Sequence, residues 1–300
     1  MGLRFDGKVA IVTGGGGGLG RAYALELARR GARLVVNDLA VPVGAQDPPV
    51  ATTVVDEIRA LGGDAVADDH DVVTGGAAVV ATALDAYGRV DLVCNNAGVG
   101  GGGTIADGDP AQWERTIAIT LHGSIAVTRA AWPHLVAAGG GHVLMTASNA
   151  SFGGLGTGAY SAAKSSMIGL TRSLAIEGRR SGVRVNAIMP AAWTRLTRLL
   201  PAGPLTEMLD ERFPPEQVAA FVVWLCHAGT AVSGEVFSVG GGRAARVVLA
   251  EARGGVVADL TPEAWAGVAD AVMDMEGAAW PLDMMAEVRW SAEQLGLSLG

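Results

Sequence analysis

The segment Thr13-Gly14-Gly15-Gly16-Gly17-Gly18-Leu19-Gly20 constrains this chain more than any other. A short apolar run over 9–13 leads into it, and a helical pattern over 21–30 leads away. Consecutive glycines weaken a helix or strand interior, because glycine loses the most backbone freedom on folding. Between a strand and a helix they serve a purpose: the chain turns tightly and its backbone can approach a ligand. The free N–H groups and partial positive charge of the helix N-terminus favour an anion such as a pyrophosphate. Strand, glycine loop and helix in that order point to nucleotide binding. The expected contacts are Gly14, Gly18, Leu19 and Gly20.

The rest of the chain repeats this alternation. Strand patterns fall at 33–37, 64–67, 91–95, 142–146, 183–187 and 235–239. Helical patterns fall at 54–61, 77–87, 113–138 and 160–180, with Pro133 expected to kink or break the third. Near-continuous apolar strands such as Ala10-Ile11-Val12 suit strands buried on both faces. The expected fold is α/β: a Rossmann-type doubly wound parallel sheet of about seven strands, spanning 1–243. A loop is expected through Pro42, Pro48 and Pro49. A C-terminal extension, 244–300, is expected to pack on the domain. It opens with an extended segment at 244–250. The order Thr261-Pro262-Glu263 then reads as an N-cap, a first-turn proline and a first-turn acid, starting a helix to about Met275.

Composition excludes several classes. Half the residues are hydrophobic and 17% are charged, the opposite of a disordered chain. The formal net charge is −8, from 22 basic and 30 acidic residues, so nucleic acid is not an expected partner. No apolar run reaches the roughly 18–20 residues that span a membrane. Residues 1–6 lack the pattern of a signal peptide. Cys94 and Cys226 sit in apolar runs and make no disulfide framework, so a cytoplasmic location is expected. The five histidines show no metal-ligand spacing, and no metal is expected.

Asp38 follows the second strand pattern, 18 residues beyond Gly20. An acid there bonds the adenosine ribose hydroxyls and repels a 2′-phosphate, so NAD is the expected cofactor. Leu39, Asp71 and Val72 are expected beside the adenosine. Tyr160 and Lys164 stand four apart on one helix, so they share a face. A nearby ammonium would lower the phenol pKa, letting tyrosine exchange a proton with an alcohol while the cofactor exchanges a hydride. Ser148, after the fifth strand, offers a hydroxyl to the substrate oxygen. Ser151 is a second candidate for that role.

The glycine loop, Asn95-Asn96-Ala97-Gly98, Ser148, Tyr160-x-x-x-Lys164 and Asn186-Ala187-Ile188-Met189-Pro190 resemble, in this order, the classical short-chain dehydrogenases/reductases. The resemblance runs over about 5–242. The stretches Val35-Val36-Asn37-Asp38-Leu39 and Thr128-Arg129-Ala130-Ala131-Trp132 are most similar to the (3R)-hydroxyacyl-CoA dehydrogenase region of multifunctional enzymes and to related hydroxysteroid dehydrogenases. It implies catalytic roles for Ser148, Tyr160 and Lys164, with Lys164 also on the nicotinamide ribose. It implies cofactor contacts from Asn95, Asn96, Ala97 and Gly98, and from a nicotinamide loop running from Pro190 to Thr194. It also implies a homodimer or homotetramer. Thr120, in Thr120-Leu121-His122-Gly123, stands where the family carries an asparagine that holds a relay water. Being shorter, it puts that relay in question. His122, two residues on, falls on a different helix face.

The substrate expected is a small-molecule secondary alcohol or ketone: a 3-hydroxyacyl-CoA, a hydroxysteroid or another apolar alcohol. Phe152, Leu155 and Trp193 are the candidate apolar wall. Arg195 and Arg198 would suit the phosphates of an acyl-CoA. The alternative is a non-catalytic NAD-binding protein on the same fold.

Overall fold

A computed structural model of the chain describes residues 2–39 and 51–298. The loop expected through Pro42, Pro48 and Pro49 lies outside the described residues. The chain divides into two units, Met1–Arg246 and Val247–Gly300.

In chain order the elements up to the unit boundary are β1 (Val9–Thr13), α1 (Gly18–Arg29), β2 (Arg33–Asn37), α2 (Ala51–Ala60), β3 (Asp64–Asp68), α3 (Gly76–Tyr87), β4 (Leu92–Asn95), α4 (Pro110–Ile117), α5 (Gly123–Ala137), β5 (Gly141–Thr146), α6 (Gly158–Gly178), β6 (Val183–Pro190), α7 (Pro204–Arg212), α8 (Pro215–Cys226), β7 (Val236–Gly240) and β8 (Arg243–Val247). They form one eight-stranded sheet in the order β3-β2-β1-β4-β5-β6-β7-β8. Every pairing from β3 through to β7 is parallel. The Gly241-Gly242 turn joins β7 to β8, and only antiparallel strands can be joined by so short a link. Both turn glycines have positive φ, 58° and 75°.

Strand register lines up the carboxyl ends. Thr13 pairs with Asn37, Asn37 with Asp68, Asn95 with Met145, and Thr146 with Ile188. Strand order reverses between β1 and β4, so a crevice opens outside their carboxyl ends. All five residues of β1 are buried, as are Leu34, Val35, Val36, Val143 and Leu144. Each valine, leucine and isoleucine among them contributes about 1.5–3 kcal/mol relative to exposure. Lys8 tightens the opposite end of β1: its Nζ donates to Asp91 Oδ1 at 3.0 Å, and the Val9 amide donates to Asp91 Oδ2 at 3.0 Å.

The structure departs from sequence expectation in three places. First, the long helix over 113–138 does not break at Pro133, which lies inside α5. It deforms earlier, in a π-helical turn at Ala118–His122 between α4 and α5. A π turn admits an extra residue into a helix and is commonest at functional sites. Second, the strand expected at 183–187 runs on to Pro190, and α7 and α8 follow it. Their prolines at the first helical position, Pro204 and Pro215, were the available signal. Third, the helix expected from Thr261 to about Met275 is two short ones, α9 (Pro262–Gly267) and α10 (Ala269–Met273). Val268 leaves helical geometry at φ −117° and ψ 14°, where glycine and a β-branched residue adjoin.

The second unit carries α9, α10 and α11 (Met284–Gln294), with an antiparallel bridge between Glu251 and Ala279. Thr261 caps α9 by accepting the Ala264 amide at 3.2 Å, and Asp283 caps α11 through the Ala286 amide at 2.8 Å. Among the described residues, Ala292 is its only buried hydrophobic side chain.

Candidate active site

The glycine loop is a steric cradle. Gly14 and Gly18 have φ of 62° and 50°, the left-handed region that only glycine enters freely. A Cβ at Gly15 would lie 2.8 Å from Val36 Cγ1, and one at Gly20 would overlap the Gly14 carbonyl oxygen. The side of the loop is held by the residues after β4. Asn96 Nδ2 donates to the Thr13 and Gly14 carbonyls, both at 3.1 Å. Thr13 Oγ1 accepts from the Asn96 and Ala97 amides, both at 3.1 Å. Gly17 at the start of α1 carries no capping side chain, which leaves the first-turn N–H groups to a ligand. A groove that side chains would fill, fronted by uncapped amides, fits a dinucleotide pyrophosphate.

Asp38 meets the same loop. Its Oδ2 accepts the Gly16 amide at 2.8 Å. Burial pushes the Asp38 carboxyl up, while the Gly16 amide, the Arg195 guanidinium and the Leu39 amide act downwards. Leu39 is 37% exposed at the lip. Asp71 and Val72 are engaged within the protein. Asp71 Oδ1 accepts the Val73 amide at 2.7 Å, and Val72 is buried against Gly123, the first residue of α5. Asn95 is also turned inward, donating from Nδ2 to Thr128 Oγ1 at 2.8 Å. It braces β4, whereas Asn96 and Ala97 brace the loop.

The catalytic candidates gather at the carboxyl ends of β4 and β5. Ser148 follows β5 and is buried; its Oγ accepts the Ala150 amide at 3.1 Å and donates to Asn149 Oδ1 at 3.2 Å. Tyr160 and Lys164 occupy the first two turns of α6. The Lys164 ammonium is buried and donates to the Thr146 carbonyl at 2.7 Å. Burial lowers its pKa to about 8. It stands 5.8 Å from the centroid of the Tyr160 ring.

One electrostatic expectation fails. The phenol of Tyr160 is raised rather than lowered. Burial is the dominant cause, and only the neighbouring Ser148 hydroxyl opposes it. The ammonium is directed at the Thr146 carbonyl, because a buried charge needs a strong acceptor to offset its desolvation.

Thr120 sits in the π-helical turn and is 1% exposed, whereas His122 faces solvent. Thr120 Oγ1 has no hydrogen-bond partner among the described residues. A Cβ at Gly98 would lie 3.3 Å from Thr120 Oγ1 and 3.3 Å from Lys164 Nζ, so the two groups share one small space. An unsatisfied buried hydroxyl costs about 1–3 kcal/mol. The departure from asparagine thus keeps a polar atom on the lysine side of the site.

The remaining candidates surround this centre unevenly. Pro190 ends β6 and pairs with Val239. Thr194 Cγ2 lies 3.5 Å from where a Cβ of Gly18 would stand. Trp193 is half-buried, with the Arg198 guanidinium 5.6 Å from its ring centroid. Phe152 and Leu155 are 75% and 96% exposed, so neither is part of a core. Sequence reasoning missed the Thr146 carbonyl, which no side-chain pattern announces. It also missed a role for Trp113, whose Nε1 donates to Gly102 O at 2.6 Å and ties down the glycine-rich loop after β4.

Residues 8–200 match the family model described as short chain dehydrogenase. The chain is 41% identical over 286 residues to the peroxisomal multifunctional enzyme type 2 of Mus musculus, covering 93% of this chain and 38% of that one. Its fold resembles the full-length peroxisomal multifunctional enzyme type 2 of Drosophila melanogaster, with a TM-score of 0.81 and 33% identity over 98% of this chain and 50% of that one. It also resembles a 7α-hydroxysteroid dehydrogenase solved with NADH and 7-oxo glycochenodeoxycholic acid, with a TM-score of 0.70 and 30% identity over 80% of this chain and 95% of that one. The chain therefore spans half or less of the two multifunctional enzymes.

Proposed function

The chain belongs to the short-chain dehydrogenases, and from that premise we propose that it is a NAD-dependent oxidoreductase of secondary alcohols and their ketones, with Tyr160 as general acid/base. The observation that carries this reading is the grouping of Ser148, Tyr160 and buried Lys164 at the same sheet edge as the glycine cradle. A bound NAD would supply the hydride acceptor and a positive ring that favours the phenolate.

The protein's own groups handle the proton and the position. Ser148 and Tyr160 hold the substrate oxygen between their side-chain oxygens. In the oxidative direction Tyr160 acts as its phenolate: the alcohol O–H proton passes to the phenolate oxygen and restores the phenol, while the carbinol C–H bond gives up hydride to the bound cofactor, leaving a C=O bond. Lys164 supplies a positive charge poised near neutrality, since its pKa is about 8. Asp38 supports NAD over NADP, because a carboxylate at the end of β2 repels a 2′-phosphate. The hydroxysteroid dehydrogenase relative and the exposed apolar Phe152 and Leu155 support an apolar substrate, a 3-hydroxyacyl-CoA or a hydroxysteroid. Free buried cysteines support a reducing compartment such as the cytoplasm. A homodimer or homotetramer is the proposed assembly, to be read by light scattering.

The test is a panel of such alcohols with NAD, read as reduced nicotinamide. Tyr160→Phe is expected to lower turnover by about 10²–10⁴-fold while leaving the NAD dissociation constant unchanged. Tight NAD binding with no turnover of any substrate would favour the non-catalytic reading instead.

A further inference from the structure

Tyr160 is the third residue of α6, and little in its own segment fixes it there. Thr157, at the N-cap, makes no capping bond; its Oγ1 pairs instead with the Gly154 carbonyl and with Ser161 Oγ, both at 2.8 Å. The segment leading in from Ser148 is loosely packed. Phe152 and Leu155 are exposed, and Gly153 and Gly156 have φ of 94° and 71°. A first turn without a side-chain cap depends on something outside the helix to hold it.

Helix α4 is built in the opposite way. It opens on Pro110, and Asp109 Oδ1 accepts the Ala111 amide at 3.0 Å, so its first turn is capped. Trp113, within that first turn, is half-buried and reaches two neighbours. The six-membered ring meets α6: a Cβ built on Gly158 would lie 2.6 Å from Cη2 and 3.0 Å from Cζ2. Gly158 is helical, so the indole, and not backbone conformation, is what excludes a side chain there. The five-membered ring meets the loop after β4. Besides the bond to the Gly102 carbonyl, Cδ1 and Nε1 each lie 3.1 Å from a Cβ built on Gly102. That Cβ would also lie 3.2 Å from Cβ of Ala159, which is buried and adjoins Tyr160.

We propose that Trp113 is a positioning residue for Tyr160: its indole, fixed on the capped α4, is the plate on which the uncapped first turn of α6 rests, and the glycine-rich loop after β4 is tied to the same plate. No chemical step passes through the indole. It sets where the Tyr160 oxygen stands relative to Ser148, and so the alignment of proton transfer. A reacting group displaced by about 1 Å can cost about 10²-fold in rate, and close-packed rings transmit such displacements.

This role rests on the oxidoreductase reading above, and steady-state kinetics with NAD and a panel alcohol separate the two. By helix propensity alone, Gly158→Ala should be favourable. Here the new methyl meets the indole, so kcat is expected to fall by about 10-fold or more, with the NAD dissociation constant unchanged. Trp113→Phe shortens the ring and removes its N–H, and kcat should fall there too. In the double variant the methyl fills the space the shorter ring leaves, so kcat should recover above that of Gly158→Ala, a coupling that only direct packing produces. Wild-type kcat in Gly158→Ala, or losses that simply multiply in the double variant, would overturn the role and leave the oxidoreductase reading standing. A fall in kcat matched by an equal fall in folded fraction, read by circular dichroism at the assay temperature, overturns it as well. Wild-type protein that turns over no alcohol of the panel overturns both.

Discussion

The two sides of the crevice are built on different physics. The glycine loop between β1 and α1 is defined by shape: positive φ at Gly14 and Gly18, and no room for a side chain at Gly15 or Gly20. The catalytic side, at the ends of β4 and β5 and the start of α6, is defined by desolvation. There a buried ammonium has its pKa reduced to about 8, a phenol is pushed up, and the Thr120 hydroxyl is buried without a partner among the described residues. Sterically defined structure is stable as it stands. Structure defined by buried charge stores a cost that function requires.

Lys164→Met tests this contrast hardest. Turnover should fall by about 10²–10⁴-fold, while removal of the buried charge stabilises the fold by on the order of 1 kcal/mol, a few degrees in Tm. The sign follows from linkage. Folded Lys164 loses its proton near pH 8 and the unfolded chain near 10.5, so in that window the unfolded state binds more protons and stability rises with pH. That rise should disappear in Lys164→Met. A variant less stable than wild type at pH 7 would break the contrast.

On the steric side, Gly20→Ala should destabilise by about 1–3 kcal/mol and weaken NAD binding, because the new methyl meets Gly14 backbone. Wild-type NAD affinity in that variant would mean that the cradle has slack. A smaller effect lies beneath both sides. His142 in β5 is buried, pairs through Nε2 with Asn186 Nδ2 at 2.9 Å, and has its pKa lowered to about 3 by burial and then by Arg184. Folded His142 stays neutral where the unfolded chain takes up a proton, so stability is full above about pH 6.5 and is lost on descending towards about pH 3. His142→Gln should flatten that slope in an acid melt. Smallest of all, Thr120→Val should raise Tm by the equivalent of about 1 kcal/mol or less, since it removes an unsatisfied hydroxyl of the same shape. A lower Tm would show that the hydroxyl has a partner.

Local rules carried most of the fold. Strand, glycine loop and helix are readable at β1 and α1 because steric limits act over a few residues. The parallel order follows because apolar strands separated by helices have few ways to pack. The Tyr160–Lys164 spacing is equally local. Helices α7 and α8 escaped because their apolar patterns were not read as helical, although prolines marked their starts. The interruption at Ala118–His122 escaped for a different reason: Pro133 is the conspicuous helix breaker in sequence, while a π turn has no comparable residue signature.

The sequence by itself determined which groups reach the crevice: the glycine loop, Asp38, Ser148, Tyr160 and a lysine in a chain that otherwise uses arginine almost throughout. The other lysine, Lys8, belongs to an ion pair with Asp91 at the far end of β1. Tertiary structure alone decided how those groups behave. It aimed the Lys164 ammonium at the Thr146 carbonyl, raised the phenol it was expected to lower, and left Thr120 Oγ1 unpaired among the described residues. The physical reason is range. Steric and turn constraints act between neighbours in the chain, whereas charge and desolvation depend on what the whole fold packs around each group.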